Sequence, residues 1–102
     1  MLELRPNCEL CDKDLPVNST EARICTYECT FCCDCVENKL ENVCPNCGGG
    51  FEKRPIRPSV ARRDGVCLIH QPGSENRVHT KYSEQEISEF TDTIKNIAPE
   101  NR

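Results

Sequence analysis

The chemistry this chain can do lies in four close cysteine pairs. Cys8 and Cys11, Cys32 and Cys35, and Cys44 and Cys47 are each separated by two residues, and Cys25 and Cys29 by three. A turn that short lets two thiolate sulfurs converge on one cation at about 2.3 Å from each, so four pairs supply two tetrahedral, all-sulfur sites of the structural zinc type. The predicted metal ligands are therefore Cys8, Cys11, Cys25, Cys29, Cys32, Cys35, Cys44 and Cys47, holding two Zn²⁺ per chain. Fully thiolate-ligated zinc keeps no open position for water or substrate, which points away from Lewis-acid catalysis. No paired carboxylates or Ser–His arrangement stand at usable spacing, and Gly48-Gly49-Gly50 is not followed by the Lys-Ser/Thr of a phosphate loop. No catalytic or organic-cofactor residue is assigned.

Two partitions of the eight ligands fit the spacing. In the interleaved one, Cys8, Cys11, Cys32 and Cys35 hold one ion and Cys25, Cys29, Cys44 and Cys47 the other; in the sequential one, the first four and the last four cysteines make separate beads. The interleaved form is preferred because a poor core gains more from closing two long loops than four short ones. Cys33 and Cys67 are left over. Cys33 is read as an idle thiol beside the site, and Cys67, His70 and His79 lack the second close pair that a third site would need.

The bulk composition explains why the chain needs staples. With 102 residues, ten cysteines, no Trp and five large aromatics, apolar burial alone does not offset chain entropy. A structural zinc site contributes on the order of 10 kcal/mol of apparent binding energy, so metal removal is expected to unfold the chain. The N-terminus carries no basic segment followed by an apolar run, and no stretch is long enough to span a bilayer. The expected compartment is the cytoplasm, where clustered thiols stay reduced and C-x2-C pairs serve metals rather than bridges. Each ZnS₄ centre carries a net charge of about −2, on a chain already at −4, so nearby Arg5, Lys13, Arg23, Lys39, Lys53, Arg54 and turn N–H groups are expected to offset it.

Around these pairs the elements are few. The N–H groups of Asp12 and Lys13 are expected to point back at sulfur, as is that of Gly48 in a left-handed conformation. A loop through Pro16 leads to a short strand starting near Ile24, followed by β-prone Thr26 to Phe31, with Tyr27 and Phe31 offered to a miniature core. A short helix follows Cys35, with Asp34 as N-cap and Val36, Leu40 and Val43 on its inner face. Lys53 to Arg63 contains five basic and no acidic residues between Pro-directed turns, and reads as a solvated linker. Two strands, Val66 to His70 and Arg77 to Tyr82, are predicted around Pro72-Gly73-Ser74. A final helix opens on the capping box Ser83–Glu86 and carries Ile87, Phe90, Ile94 and Ile97 on one face.

The spacing resembles that of RING fingers and the wider treble-clef zinc group. Cys29-Thr-Phe31-Cys32-Cys-Asp-Cys35 matches the RING stretch His-x-aromatic-Cys-x-x-Cys with Cys in the His place, and Cys44-Pro45-Asn-Cys47 resembles the closing pair. The resemblance implies a cross-braced α+β fold over residues 8 to 47. RING ubiquitin ligases grip a conjugating enzyme through positions that Leu10 and Pro45 match, whereas the chain has no Trp and places Gly48 at the basic position. Residues 1 to about 58 also resemble an uncharacterised family of short bacterial cysteine-rich proteins in LELRPNCE, ARIC, ECTFC and CPNCGG. This implies a bacterial protein and no established activity.

The expected architecture is thus a small metal-stabilised α+β protein. It comprises a RING-like cross-brace (treble clef) with two zinc sites at 1–52, a basic linker at 53–64, and an extension with β-hairpin and helix at 65–102. The expected function is a non-enzymatic zinc-built interaction module whose partner is another protein, with no membrane partner and with the C-terminal helix offering a dimer contact. A RING-type ligase-like adaptor, and nucleic-acid binding through Lys53 to Arg63, stand as alternatives.

Overall fold

A computed structural model describes residues 1–102. Three very short strands form one antiparallel sheet, β1 (Ala22–Ile24), β2 (Thr30–Cys32) and β3 (Glu52–Lys53), in the order β2-β1-β3. Register is Ala22 opposite Cys32 and Ile24 opposite Thr30, which puts Cys25 and Cys29 in the hairpin turn between β1 and β2. Helix α1 (Cys33–Asn38) follows β2 without a break, and α2 (Glu84–Ile94) and a 3₁₀ turn at Pro99–Asn101 close the chain. No helix is long and apolar enough to cross a membrane.

Only 24 residues are buried, and six of the thirteen members of the central cluster are cysteines. Phe31, Leu15 and Leu40 supply most of the apolar bulk, and the Phe31 and Phe51 rings meet edge-on at 5.4 Å. Tyr27, expected in this core, is instead 71% exposed because it sits at the tip of the β1–β2 turn. Helix α1 starts earlier and ends sooner than its apolar spacing suggested. Its N-cap is Cys32 rather than Asp34, and Glu41 and Asn42 take left-handed conformations that turn the chain back towards Cys44. Val36, Leu40 and Val43 are nevertheless all buried.

The basic segment is exposed over most of its length but is anchored at two points. Arg54 is 1% exposed and donates to the carbonyls of Arg5, Leu15 and Pro16 at 2.8, 3.4 and 3.0 Å, with no carboxylate partner. Burial pushes its pKa below the ordinary value. Arg57 likewise donates to the carbonyls of Leu2 and Gln71. Both guanidiniums tie the N-terminal segment and the first loop to the chain that leaves the sheet.

The predicted C-terminal hairpin does not form. Residues 66–71 make a turn in which the Gln71 side chain accepts from Cys67 N and donates to the Gly65 carbonyl, giving that backbone partners without a second strand. Residues 74–80 run as a strap along the N-terminal segment, with Ser74 N donating to Leu4 O and Thr80 N to Glu9 O. Asn7 spans the gap to Val78 in both directions, and Arg77 grips Asp12 and Asp14. The capping box and α2 do form, with Ile87 buried and Phe90 at the rim.

Replacing Arg54 by Ala should strip three carbonyls of their donor and leave a void, costing on the order of 3 kcal/mol in a denaturant titration. Lys53→Ala, at an exposed neighbouring position, should stay within about 0.5 kcal/mol of the parent.

Candidate metal centres

The first and last cysteine pairs are built as the same turn. Cys8 N donates to Lys13 O and Asp12 N to Cys8 O; at equivalent offsets Cys44 N donates to Gly49 O and Gly48 N to Cys44 O. Both turns reverse through a left-handed residue just after the second cysteine, Asp12 at φ 65° and Gly48 at φ 78°. Asp tolerates that region because its short polar side chain bonds locally, here with Asn7 Nδ2 at 3.1 Å. Gly48 meets a second demand, since a Cβ there would lie 3.3 Å from Ile94.

Each turn aims N–H groups at sulfur. Cys11 N lies 3.5 Å from Cys8 Sγ, Tyr27 N lies 3.3 Å from Cys25 Sγ, and Gly49 N lies 3.4 Å from Cys47 Sγ. Asp12 N, expected at sulfur, is instead taken by the Cys8 carbonyl. In the last turn Gly49 N–H, not that of Gly48, points at sulfur, because the left-handed Gly48 N–H closes the turn instead.

The tertiary structure gathers the sulfurs in interleaved order. Sγ atoms of Cys8, Cys11, Cys32 and Cys35 all lie within 4.8 Å of one another, and those of Cys25, Cys44 and Cys47 do the same. The separation of Cys11 Sγ from Cys32 Sγ is 3.7 Å, close to the edge of about 3.8 Å that follows for a tetrahedron with 2.3 Å metal–sulfur bonds. Either donor set, all sulfur and mostly buried, could hold a metal ion.

Cys29 stands at the margin of the second set. It does not join the mutual group, and the Asn46 amide donates to its sulfur from the side at 3.3 Å. The Cys44 thiol donates to Cys29 and, against burial, brings its pKa down to about 5, with Asn46 assisting. Cys44 is correspondingly pushed up, first by that donated proton and then by burial. Burial also raises Cys25, to about 11, and Cys35. Protons held on these sulfurs are what a cation would displace on binding.

One acid–base feature near the clusters was not evident in the sequence. Glu9 is 2% exposed between them, accepting from Arg5 Nη1 at 2.9 Å and from the Thr30 N–H. Burial raises its pKa in spite of those donors. Its position beside Cys8 gave no pattern that spacing could detect, because its partners are 4 and 21 residues away. Cys33 opens α1 half-exposed outside both clusters; Cys67 is buried in the 66–71 turn. Cys67, His70 and His79 form no mutual ligand group, and His79 instead lies 3.5 Å from Asp12.

A short α+β chain with two sulfur clusters defines a class of small cysteine-cluster proteins. The chain belongs to the family described as protein of unknown function (DUF1272), whose sequence model matches residues 1–57. Over 59 residues it is 63% identical to an uncharacterized protein of Rhizobium meliloti (strain 1021), covering 58% of this chain and 70% of that one. No solved structure matches it.

Asn46→Ala should leave the fold intact while removing a donor to Cys29. The thiolate then becomes more basic towards protons, so bound metal should be lost at higher pH and its affinity should fall about tenfold in a chelator competition.

Proposed function

We propose that the protein is a non-enzymatic, zinc-built interaction module with two Zn(Cys)₄ centres in a RING-like, treble-clef cross-brace. The first centre is formed by Cys8, Cys11, Cys32 and Cys35, and the second by Cys25, Cys29, Cys44 and Cys47. The observation that carries this reading is the convergence of interleaved cysteines into two sulfur clusters, each fed by turn N–H groups. Sulfur-only donors favour zinc over the harder divalent ions. Closing Cys29 onto the second centre requires its sulfur, outside the mutual group of Cys25, Cys44 and Cys47, to shift towards them while keeping the Asn46 donor.

The reading assigns no reaction. A four-thiolate centre has no free coordination position, so the metal supplies cohesion rather than chemistry, and what remains for the chain is to present a surface. Another protein is the proposed partner. The engagement of Arg54 and Arg57 by backbone carbonyls takes two cations of the basic segment away from phosphate binding. A reducing, cytoplasmic setting is part of the same proposal, since the centres need free thiolates.

Protein purified without added metal should contain two zinc per chain by elemental mass analysis. Thorough chelation under reducing conditions should abolish the folded amide spectrum, and zinc should restore it. Zero or one zinc per chain, or a fold that survives chelation, overturns the reading.

A further inference from the structure

Helix α2 covers the outer side of the cysteine module, and the cover is loosely made. Ile87 reaches the central cluster and packs near Leu10, while Phe90 and Ile94 approach Gly48. Hollows of about 240 and 250 Å³ flank Ile87, one between it, Leu10 and Lys39, the other towards Pro45 and Asn46. The Thr91 hydroxyl is buried in this contact and has no hydrogen-bond partner. An orphaned buried hydroxyl costs roughly what a tenfold weaker association costs, or more.

Attachment is also one-sided. The last backbone hydrogen bond from the strap to the module is Thr80 N to Glu9 O; from Ser83 to Arg102 every backbone bond stays within the segment. What holds the segment is side-chain packing of Ile87, Thr91, Phe90, Ile94 and Pro99, the Arg102 guanidinium on the carbonyls of Asn42 and Gly48, and two exposed pairs. Those pairs, Lys39–Glu84 at 3.8 Å and Lys95–Glu41 at 3.5 Å, set the direction of the helix more than they hold it. An eleven-residue helix is marginal once released. The face beneath it lies within the family-matched residues 1–57, and α2 does not.

From this geometry we infer that the face formed by Leu10, Pro45 and Gly48 is a docking surface for an amphipathic helix of another protein, and that α2 is its built-in, displaceable occupant. The inference rests on the interaction-module reading and specifies its surface and partner chemistry. The partner helix carries an acid in its first turn opposite Lys39, aliphatic residues at the positions of Ile87 and Ile94, an apolar residue where α2 has Thr91, and a base opposite Glu41. Filling the hollows and removing the orphaned hydroxyl lets such a helix compete with α2, whose tether gives it a millimolar-scale effective concentration.

The test uses the full-length, metal-loaded chain and fluorescent peptides spanning Ser83 to Arg102, native or carrying Thr91→Val. Against the double variant Ile87→Ser/Ile94→Ser, the native peptide should bind at least tenfold tighter than against the parent, and the Thr91→Val peptide about tenfold tighter again. Thr91→Val in the full chain, which fastens α2, should weaken peptide binding about tenfold. Equal affinity for all three chains, equal binding of a scrambled peptide, or a dimer of the parent that exchanges α2 overturns the inference. So does absence of binding to the double variant when amide exchange shows 84–94 released. Zinc content is read on every sample. Failure with two zinc per chain removes the docking surface alone, whereas parent protein without zinc removes the module reading.

Discussion

The convergence of sulfur at two points is the constraint on which the rest of the chain depends. Its strands are two or three residues long and α1 has six, lengths at which neither a hairpin nor a helix holds together alone in water. Every one of these elements except β3 begins or ends beside a clustered cysteine: Cys25 follows β1, Cys29 precedes β2, and Cys32 ends β2 and caps α1. The interior is correspondingly sulfur-rich, with Phe31, Leu15 and Leu40 filling what the cysteines leave. Secondary structure here is a consequence of where the sulfurs must meet.

Bringing thiolates together raises an electrostatic demand that the fold meets mostly with backbone. N–H groups of Cys11, Tyr27 and Gly49 face sulfur from turns whose left-handed residues make that aim attainable. Charged side chains play a different part. Arg5 neutralises the buried Glu9, and Arg54 serves as a three-way strut between loops. A guanidinium suits that role because its planar fork offers several donors in fixed directions.

The segment after residue 57 adds a second layer to the family-matched module. Its strap follows the first cysteine turn by hydrogen bonds at Leu4 and Glu9 and by the Arg77 pairs. Its helix then lies over the last turn through side chains alone. A firmly bonded strap followed by a lightly held helix is an arrangement in which the end can leave while the rest stays, since local opening follows the distribution of buried contacts and backbone bonds.

The cysteine pairs, the capping box of α2 and the burial of Val36, Leu40 and Val43 were readable from residue types and spacing, because each depends on contacts within a few positions. The sequence by itself thus determined that thiols would cluster, that local turns would present them, and that one amphipathic helix would close the chain. Tertiary structure alone decided that the cysteines meet in interleaved order, that Arg54 is buried, and that residues 66–80 form a turn and strap instead of a hairpin. In each case the deciding partners are far apart in the chain, such as Arg54 with Arg5 and Val78 with Asn7. Strand propensity at 77–82 says that the backbone wants an extended neighbour. Only the folded chain establishes that this neighbour is the N-terminal segment, because pairing is won by whichever backbone the surrounding burial has already brought within reach.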